Sequence, residues 1–395
     1  MELNDVVCIS ACRTPMGRFG GTMRNMGSCD IGAVAIAEAV KRSGIDSEQV
    51  SEVILGSCRQ AGNGPNPSRT AAVRGGIPES VPTQTINMAC PSGMKAIQLA
   101  SQSIRLGDSK VVLVGGFDSM STIPYLLKNA RWAGFKMGDR KLEDGWSDSI
   151  DPLIRQGMGV TAENLVDKYK ISREVQDAFA LSSHQKAARA QQEGWFDSEI
   201  VPVEVKSRKE TISFSKDETV RPDSSIEKLA KLPAVFRKEG GSVTAGNACS
   251  MSDGASALVF TSREHAKSLG AKPLFSLLAC SAVAVSPSTM GEGPGVAIPD
   301  VLSKAAMTIA DPDLIEVNEA FAVQILSNEK VLAWDREIVN VHGGAIALGH
   351  PTGNSGARIV VTLYHALKTR NKEIGLASIC GGGGVSMALL IKREQ

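Results

Sequence analysis

The chain has 395 residues and a formal net charge of +1, from 43 Lys and Arg against 42 Asp and Glu. That length holds two or three ordinary domains, or one composite fold with an ample core. Near-neutral charge and only 4% aromatic residues exclude the basic, base-stacking surface of a nucleic-acid binder.

Strand and helix signals alternate through the first part. Residues 6–10 read as a strand, and 31–43 as a helix with Ala33, Ile36, Ala37 and Val40 on one face. Residues 53–56 form a short buried strand, 67–75 a helix, and 83–88 an extended segment. A helix over 91–106 carries Met94, Ile97, Ser101 and Ile104 at helical spacing, with Pro91 suited to its first turn. Residues 110–116 follow as a continuous apolar run ending in Gly-Gly, the pattern of a strand covered on both faces.

Between 119 and 244 the apolar strands thin out and charged residues rise, with helices at 161–169, 172–193 and 225–232; Ser172 heads a capping-type turn. Strand character returns at 255–261. The end of the chain then echoes the beginning: a strand at 340–344, a helix at 353–368, and a strand at 375–379 closed by glycines repeat the order 83–88, 91–106, 110–116. The expectation is an α/β layered fold of two similar halves, 1–118 with 245–272 and 273–395, carrying an inserted, mainly helical domain at 119–244. Their helix N-termini are expected to meet at one shared site.

The eight cysteines form no C-x-x-C pair and the five histidines no H-x-x-x-H pair, so no metal site is expected. Scattered single cysteines read as reduced thiols. The N-terminal residues lack a basic n-region, the apolar stretch 274–285 falls short of the roughly twenty residues of a membrane span, and residues 392–395 are no peroxisomal address. A cytoplasmic protein without a membrane partner is expected.

Cys90, in Asn87-Met88-Ala89-Cys90-Pro91-Ser92-Gly93, sits between a strand and a helix N-terminus, where backbone N–H groups and the helix dipole favour a nucleophilic thiolate. Taken alone, a buried cysteine beside a helix cap is the better reading. His350 lies on the glycine-rich run 343–349 just before another helix, a candidate base once paired with Cys90. Cys380 opens a run of four glycines, which lacks the Lys-Ser/Thr of a phosphate loop but is able to present bare N–H groups to an oxyanion. Asn318-Glu319 is a polar pair in an apolar stretch, by itself best read as a helix cap.

Together, the N-x-x-C-x-S-G around Cys90, Asn318-Glu319-Ala320-Phe321, Gly349-His350-Pro351 and the glycines after Cys380 resemble the thiolase family of acetyl-CoA C-acyltransferases. The resemblance spans the chain. It includes Arg13-Thr14-Pro15, Gly115 to Met120, Thr161 to Asn164 and Thr244-Ala245-Gly246-Asn247. It implies an acyl-enzyme on Cys90, with His350 taking the thiol proton and Cys380 acting as the base for the α-carbon of acetyl-CoA. One oxyanion hole is implied from His350 and a water held by Asn318, the other from the backbone N–H groups of Cys90 and Gly382. Coenzyme A is substrate and leaving group, so no cofactor is implied. The partners are acyl-CoA, acetyl-CoA and a second copy of the chain, as a homodimer or homotetramer.

By the same resemblance Arg221, Ala245, Gly246, Cys249, Met158 and Phe321 bind substrate. Short-chain biosynthetic members carry His-Met-Gly where this chain has Gly157-Met158-Gly159, and serine where it has Cys249. A lost histidine side chain enlarges the pocket toward longer 3-oxoacyl chains, the alternative being drift with unchanged specificity. The implied activity is acetoacetyl-CoA synthesis or thiolysis, with a broader 3-ketoacyl-CoA thiolase as alternative. A β-ketoacyl synthase of the same superfold lacks the second cysteine, and a non-catalytic relative loses at least one of the four motifs.

Overall fold

The structure, a computed structural model, describes residues 3–206 and 210–394. Strands β1 (Val6–Arg13), β4 (Val111–Ser119) and β5 (Ser252–Ser262) are buried at every position. Strands without a polar face need cover on both sides, and the helices supply it. With β2 (Glu52–Gly56), β3 (Thr83–Ile86), β6 (Phe275–Ala284), β7 (Leu314–Val317), β8 (Ile374–Cys380) and β9 (Val385–Arg393), they form one continuous sheet. Its order is β7-β8-β9-β6-β1-β5-β4-β2-β3, and the short strand Gly17–Arg18 pairs beside β5.

The path is nearly two-fold. From the centre outward β1, β5, β4 and β2 are answered by β6, β9, β8 and β7, and the halves join where Val7 pairs with Ser276 and Cys8 with Phe275. The pairs β2–β3, β2–β4 and β7–β8 are parallel. The internal repeat read from the sequence is therefore real, with one correction. Residues 340–344, expected as the strand answering β3, are a turn. Val339 alone bridges to Ile315, and Asn340 and Gly343 then take φ of +45° and +75°, which ends an extended ladder. The Asn340 side-chain amide supplies the next rung instead, accepting from Val317 N–H at 2.8 Å and donating to Val317 C=O at 2.9 Å.

Helices α3 (Ser92–Leu106) and α8 (Thr352–Thr369) lie between the two half-sheets. Met94, Ile97, Ile359 and Leu363 share one core with Ile54, Val112 and Val114 of the first half and Leu314, Ala377 and Ile379 of the second. Helices α1 (Ser28–Ser43) and α2 (Pro67–Arg74) cover the far face of the first half, and α6 (Gly293–Lys304) with α7 (Ala322–Leu332) that of the second. The central helices cross at backbone contact. A Cβ on Gly93 would stand 2.7 Å from the Ala357 nitrogen, and one on Gly356 2.7 Å from the Met94 nitrogen. Only glycine permits that approach, and it brings both N-termini to one place. Pro91 stands at the N-cap of α3, one position before the first turn.

In the inserted segment, α4 (Met158–Tyr169) and α5 (Arg173–Gln192) are the long helices, and Val203–Lys206 pairs with Thr211–Phe214 as a hairpin. Ser172 occupies the N-cap of α5 but its side chain accepts no capping bond. Buried Arg13 at the end of β1 docks the segment. Its Nε meets Glu199 at 2.6 Å, and its two terminal nitrogens meet both Asp217 oxygens at 2.6 and 2.9 Å. Such a desolvated network is expensive to break once formed.

Candidate active site

Cys90 lies in the connection from β3 to α3. The preceding Ala89 has φ +51°, an uncommon conformation for a residue with a side chain and a form of strain that gathers at functional turns. Ser92 holds it: its hydroxyl donates to Ala89 C=O at 2.5 Å and accepts from Met88 N–H at 2.8 Å. Burial pushes the Cys90 thiol up to about 11, against the pull of the Gly382 N–H, Arg59 and its own N–H. This corrects the expectation of a resting thiolate. Desolvation outweighs the helix N-terminus, and Cys90 rests as a neutral thiol.

His350 Nε2 stands 3.3 Å from Cys90 Sγ. Its other nitrogen, Nδ1, is 2.6 Å from Ser355 Oγ, whose proton goes to Pro351 C=O at 3.0 Å. With its proton committed, the serine accepts from Nδ1–H, which leaves the Nε2 lone pair facing the thiol. Burial, with Arg358 and Arg59 adding to it, pushes His350 down to about 3, so the ring is neutral at rest. A neutral thiol beside a neutral, correctly oriented imidazole transfers its proton as the sulfur attacks.

Cys380 ends β8 and is buried. A Cβ on Gly381 would stand 2.5 Å from Pro91 Cδ and 3.2 Å from Cys90 N, so the glycine run lies against the Cys90 turn, where the Gly382 N–H favours an ionised Cys90 sulfur. Burial raises the Cys380 thiol far above its usual range, with Cys90 and Cys249 adding to it. Burial likewise pushes Cys249 up to about 12, with Cys90 the next cause. Asn318 is fully buried, and neither its side-chain oxygen nor its nitrogen has a partner. An amide so placed is free to bind a small polar guest, and it is not the helix cap its sequence suggested. Glu319 instead ties its motif to the His350 loop, accepting from Ser183 Oγ at 2.7 Å, Asn340 Nδ2 at 2.9 Å and Ile346 N–H at 3.1 Å.

Of the expected substrate contacts, Met158 and Phe321 share an apolar cluster with Met290, Ala248 and Cys380. A Cβ on Gly157 would meet nothing within 4 Å, so the side chain absent there leaves open space. Gly246 packs against Leu229 and Leu232, and Ala245 is exposed. Arg221 is exposed on the inserted segment, its backbone N–H donating to His184 Nδ1 at 3.2 Å; nothing brings it to Cys90.

Sequence reasoning missed the residue that joins these loops. Buried Asp118, at the end of β4, accepts on Oδ1 from Ser57 Oγ and the N–H groups of Cys58 and Arg59, each at 3.1 Å. On Oδ2 it accepts from Thr352 Oγ1 at 2.9 Å and Gly353 N–H at 2.6 Å. The motif containing Asp118 was visible in the sequence, but five donors from two distant segments were not. Ser355 and Arg59 were also missed, as was Phe236, whose ring stands edge-on to Phe321 at 6.2 Å. Among the described residues no group of three His, Cys, Asp or Glu is placed to hold a metal ion, and no helix is long and apolar enough to cross a membrane.

Residues 6–264 match the thiolase N-terminal domain and residues 271–393 the thiolase C-terminal domain. A probable acetyl-CoA acyltransferase of Staphylococcus epidermidis is 48% identical, with all of both chains covered. The crystal structure of the Bacillus anthracis acetyl-CoA acetyltransferase superposes with a TM-score of 0.97 at 46% identity, again over all of both chains. That of human mitochondrial 3-ketoacyl-CoA thiolase in complex with CoA superposes at 0.94 with 40% identity, covering 99% of this chain and 98% of that one.

Proposed function

The chain belongs to the thiolase family and is an acyltransferase, and from that premise we propose the step each residue performs. Cys90 attacks the thioester of an acyl-CoA while its proton passes to His350 Nε2. The bond to the coenzyme A sulfur breaks, and that sulfur leaves with the proton. Cys380, in its thiolate form, then removes a proton from the α-carbon of acetyl-CoA, and the carbanion attacks the acyl group on Cys90. The product is a 3-oxoacyl-CoA, and the released Cys90 sulfur takes up the proton that Cys380 received, which restores both groups; thiolysis is the reverse. The Gly382 and Cys90 N–H groups receive the oxyanion formed on the acyl-enzyme, and His350 with Asn318 that of acetyl-CoA.

The observation that carries this reading is the 3.3 Å contact between His350 Nε2 and Cys90 Sγ, with the glycine run after Cys380 packed on the same turn. Acetyl-CoA and acetoacetyl-CoA are the proposed substrates, with coenzyme A as substrate and leaving group. Open space at Gly157 favours a second reading, a thiolase that also accepts longer 3-oxoacyl chains. Free Cys90 fits a reducing compartment such as the cytoplasm. The exposed Trp132, Phe135 and Met137 fit burial in a homodimer or homotetramer.

Mass spectrometry after brief exposure to acetyl-CoA tests the chemistry: the acetyl group is expected on the Cys90 peptide, and a label on Cys380 with Cys90 free overturns it. Thiolysis rates on acetoacetyl-CoA, 3-oxooctanoyl-CoA and 3-oxohexadecanoyl-CoA decide between the two substrate ranges.

A further inference from the structure

The peptide group between Ala89 and Cys90 faces two ways. Its carbonyl belongs to Ala89 and its N–H to Cys90, and because the bond is planar and trans the two point in opposite directions. Three donors hold the carbonyl: Ser92 Oγ at 2.5 Å, the Ser92 N–H at 3.0 Å and the Cys58 thiol at 3.1 Å. That is one more than the lone pairs of a carbonyl oxygen. Ser92 is fully buried, and Cys58 is itself fixed through its N–H on Asp118 Oδ1 at 3.1 Å.

The N–H end is left open. Cys90 N lies on the side of the glycine run, where a Cβ on Gly381 would stand 3.2 Å from it. Neither the Cys90 N–H nor that of Gly382, the next residue of the run, finds an oxygen acceptor among the described residues. Partly buried donors left open in this way suit an incoming oxygen. Their aim is held against strain. Ala89 keeps a φ of +51°, which a residue with a side chain leaves once it is released. If the carbonyl turned, the N–H would turn with it, because the amide is rigid. Donors on the carbonyl also polarise the amide and strengthen its N–H as a donor.

We propose that Ser92 and Cys58 are positioning residues of the acyl-transfer reaction: by clamping the Ala89 carbonyl they fix the plane of the Ala89–Cys90 peptide and aim its N–H at the oxygen of the thioester that Cys90 attacks. The inference rests on Cys90 being the acylated nucleophile. As the Cys90 sulfur bonds to the thioester carbon, the carbonyl electron pair moves onto the oxygen. It returns as the bond to the coenzyme A sulfur breaks, and the thiol proton travels by His350 as before. The Cys90 N–H meets the charged oxygen only while the amide plane is held, and both side chains act through that one carbonyl.

The test is made on the full-length protein. Ser92→Ala, which removes the shortest of the bonds to the carbonyl, is expected to slow acetyl exchange between coenzyme A molecules about tenfold in kcat with KM unchanged. That is less than the roughly hundredfold or greater loss when an oxyanion donor is removed outright. Isotope-edited infrared spectra of the acetyl group on Cys90 are expected to show its carbonyl stretch at higher frequency, because fewer hydrogen bonds then weaken it. Alkylation of Cys90 by iodoacetamide, which forms no oxyanion, stays at the wild-type rate. Cys58→Ala moves exchange and the stretch the same way by less, and Cys58→Ser, which keeps a donor, recovers them. A wild-type stretch in Ser92→Ala or, should that variant not fold, in Cys58→Ala overturns the proposal. Alkylation that falls as far as exchange also overturns it, since the nucleophile rather than the oxyanion donor is then disturbed. Wild-type Cys90 that accepts no acetyl group sinks the proposed function and this inference with it, whereas an acetylated wild type with unchanged variants sinks the inference alone.

Discussion

Replacing Asp118 by Asn changes one oxygen for an NH2 at the residue that joins the Cys58–Arg59 turn to the start of α8. If the remaining oxygen keeps the Cys58 and Arg59 N–H groups, the new NH2 faces Thr352 and Gly353. The Thr352 hydroxyl can turn and accept; the Gly353 N–H, now 2.6 Å from its carboxylate acceptor, cannot. One buried N–H is stranded and the other bonds lose their charge assistance, together about 3 kcal/mol. That is a large part of the 5–15 kcal/mol or so that stabilises an ordinary domain. Gly353 follows His350 by three residues, so relaxation there also moves the imidazole, and misplacement by about 1 Å costs on the order of a hundredfold in rate. Asp118→Ala strands three backbone N–H groups and is expected to be harsher still. The assays are thermal unfolding by circular dichroism and acetyl exchange between acetyl-CoA and labelled coenzyme A. A melting temperature and exchange rate of Asp118→Asn equal to wild type would refute this account of Asp118.

Burial pushes His350 and His365 down to about 3, and His184 and His342 to about 4, from an ordinary 6.5. Below pH 6.5 the unfolded chain therefore binds protons that the native protein refuses, so their stabilisation is complete above 6.5 and lost as pH falls toward 4; a melting temperature equal at pH 7.5 and pH 5 would contradict this. Cys380→Ser is expected to keep acetyl exchange but to lose condensation and thiolysis, because a hydroxyl is too weakly acidic to serve as the same base; equal loss of exchange and condensation would mean the two thiols do not divide the work. Gly93→Ala forces a Cβ to within 2.7 Å of the Ala357 nitrogen and is expected to abolish folding, while Gly157→Ala, with nothing within 4 Å, leaves expression and melting unchanged.

Local signals were enough for much of the architecture. The apolar run at 110–116 and the helical spacing over 91–106 read correctly because burial on both faces and a 3.6-residue period are properties of short segments. Residue chemistry was equally local: Cys90, His350 and Cys380 are nucleophile and base types on glycine-flanked loops, and their motifs named the family. The strand expected at 340–344 failed because Asn340 replaces a ladder rung with its side chain, which only the neighbouring Val317 reveals. Protonation states also lay beyond the sequence. The helix N-terminus favours a Cys90 thiolate, yet burial, set by the packing of Cys380 and the glycine run, keeps the thiol neutral. The same holds for the side chains that tie the loops together. Asp118 lies in a legible motif and Ser355, Arg59 and Trp146 carry no pattern of their own, but only chain crossings put Asp118 against Gly353, 235 positions away, and Arg59 beside Ser149, 90 positions away. Periodicity and residue type are written along the chain, whereas desolvation and long-range hydrogen bonds exist only once the two halves have closed on α3 and α8.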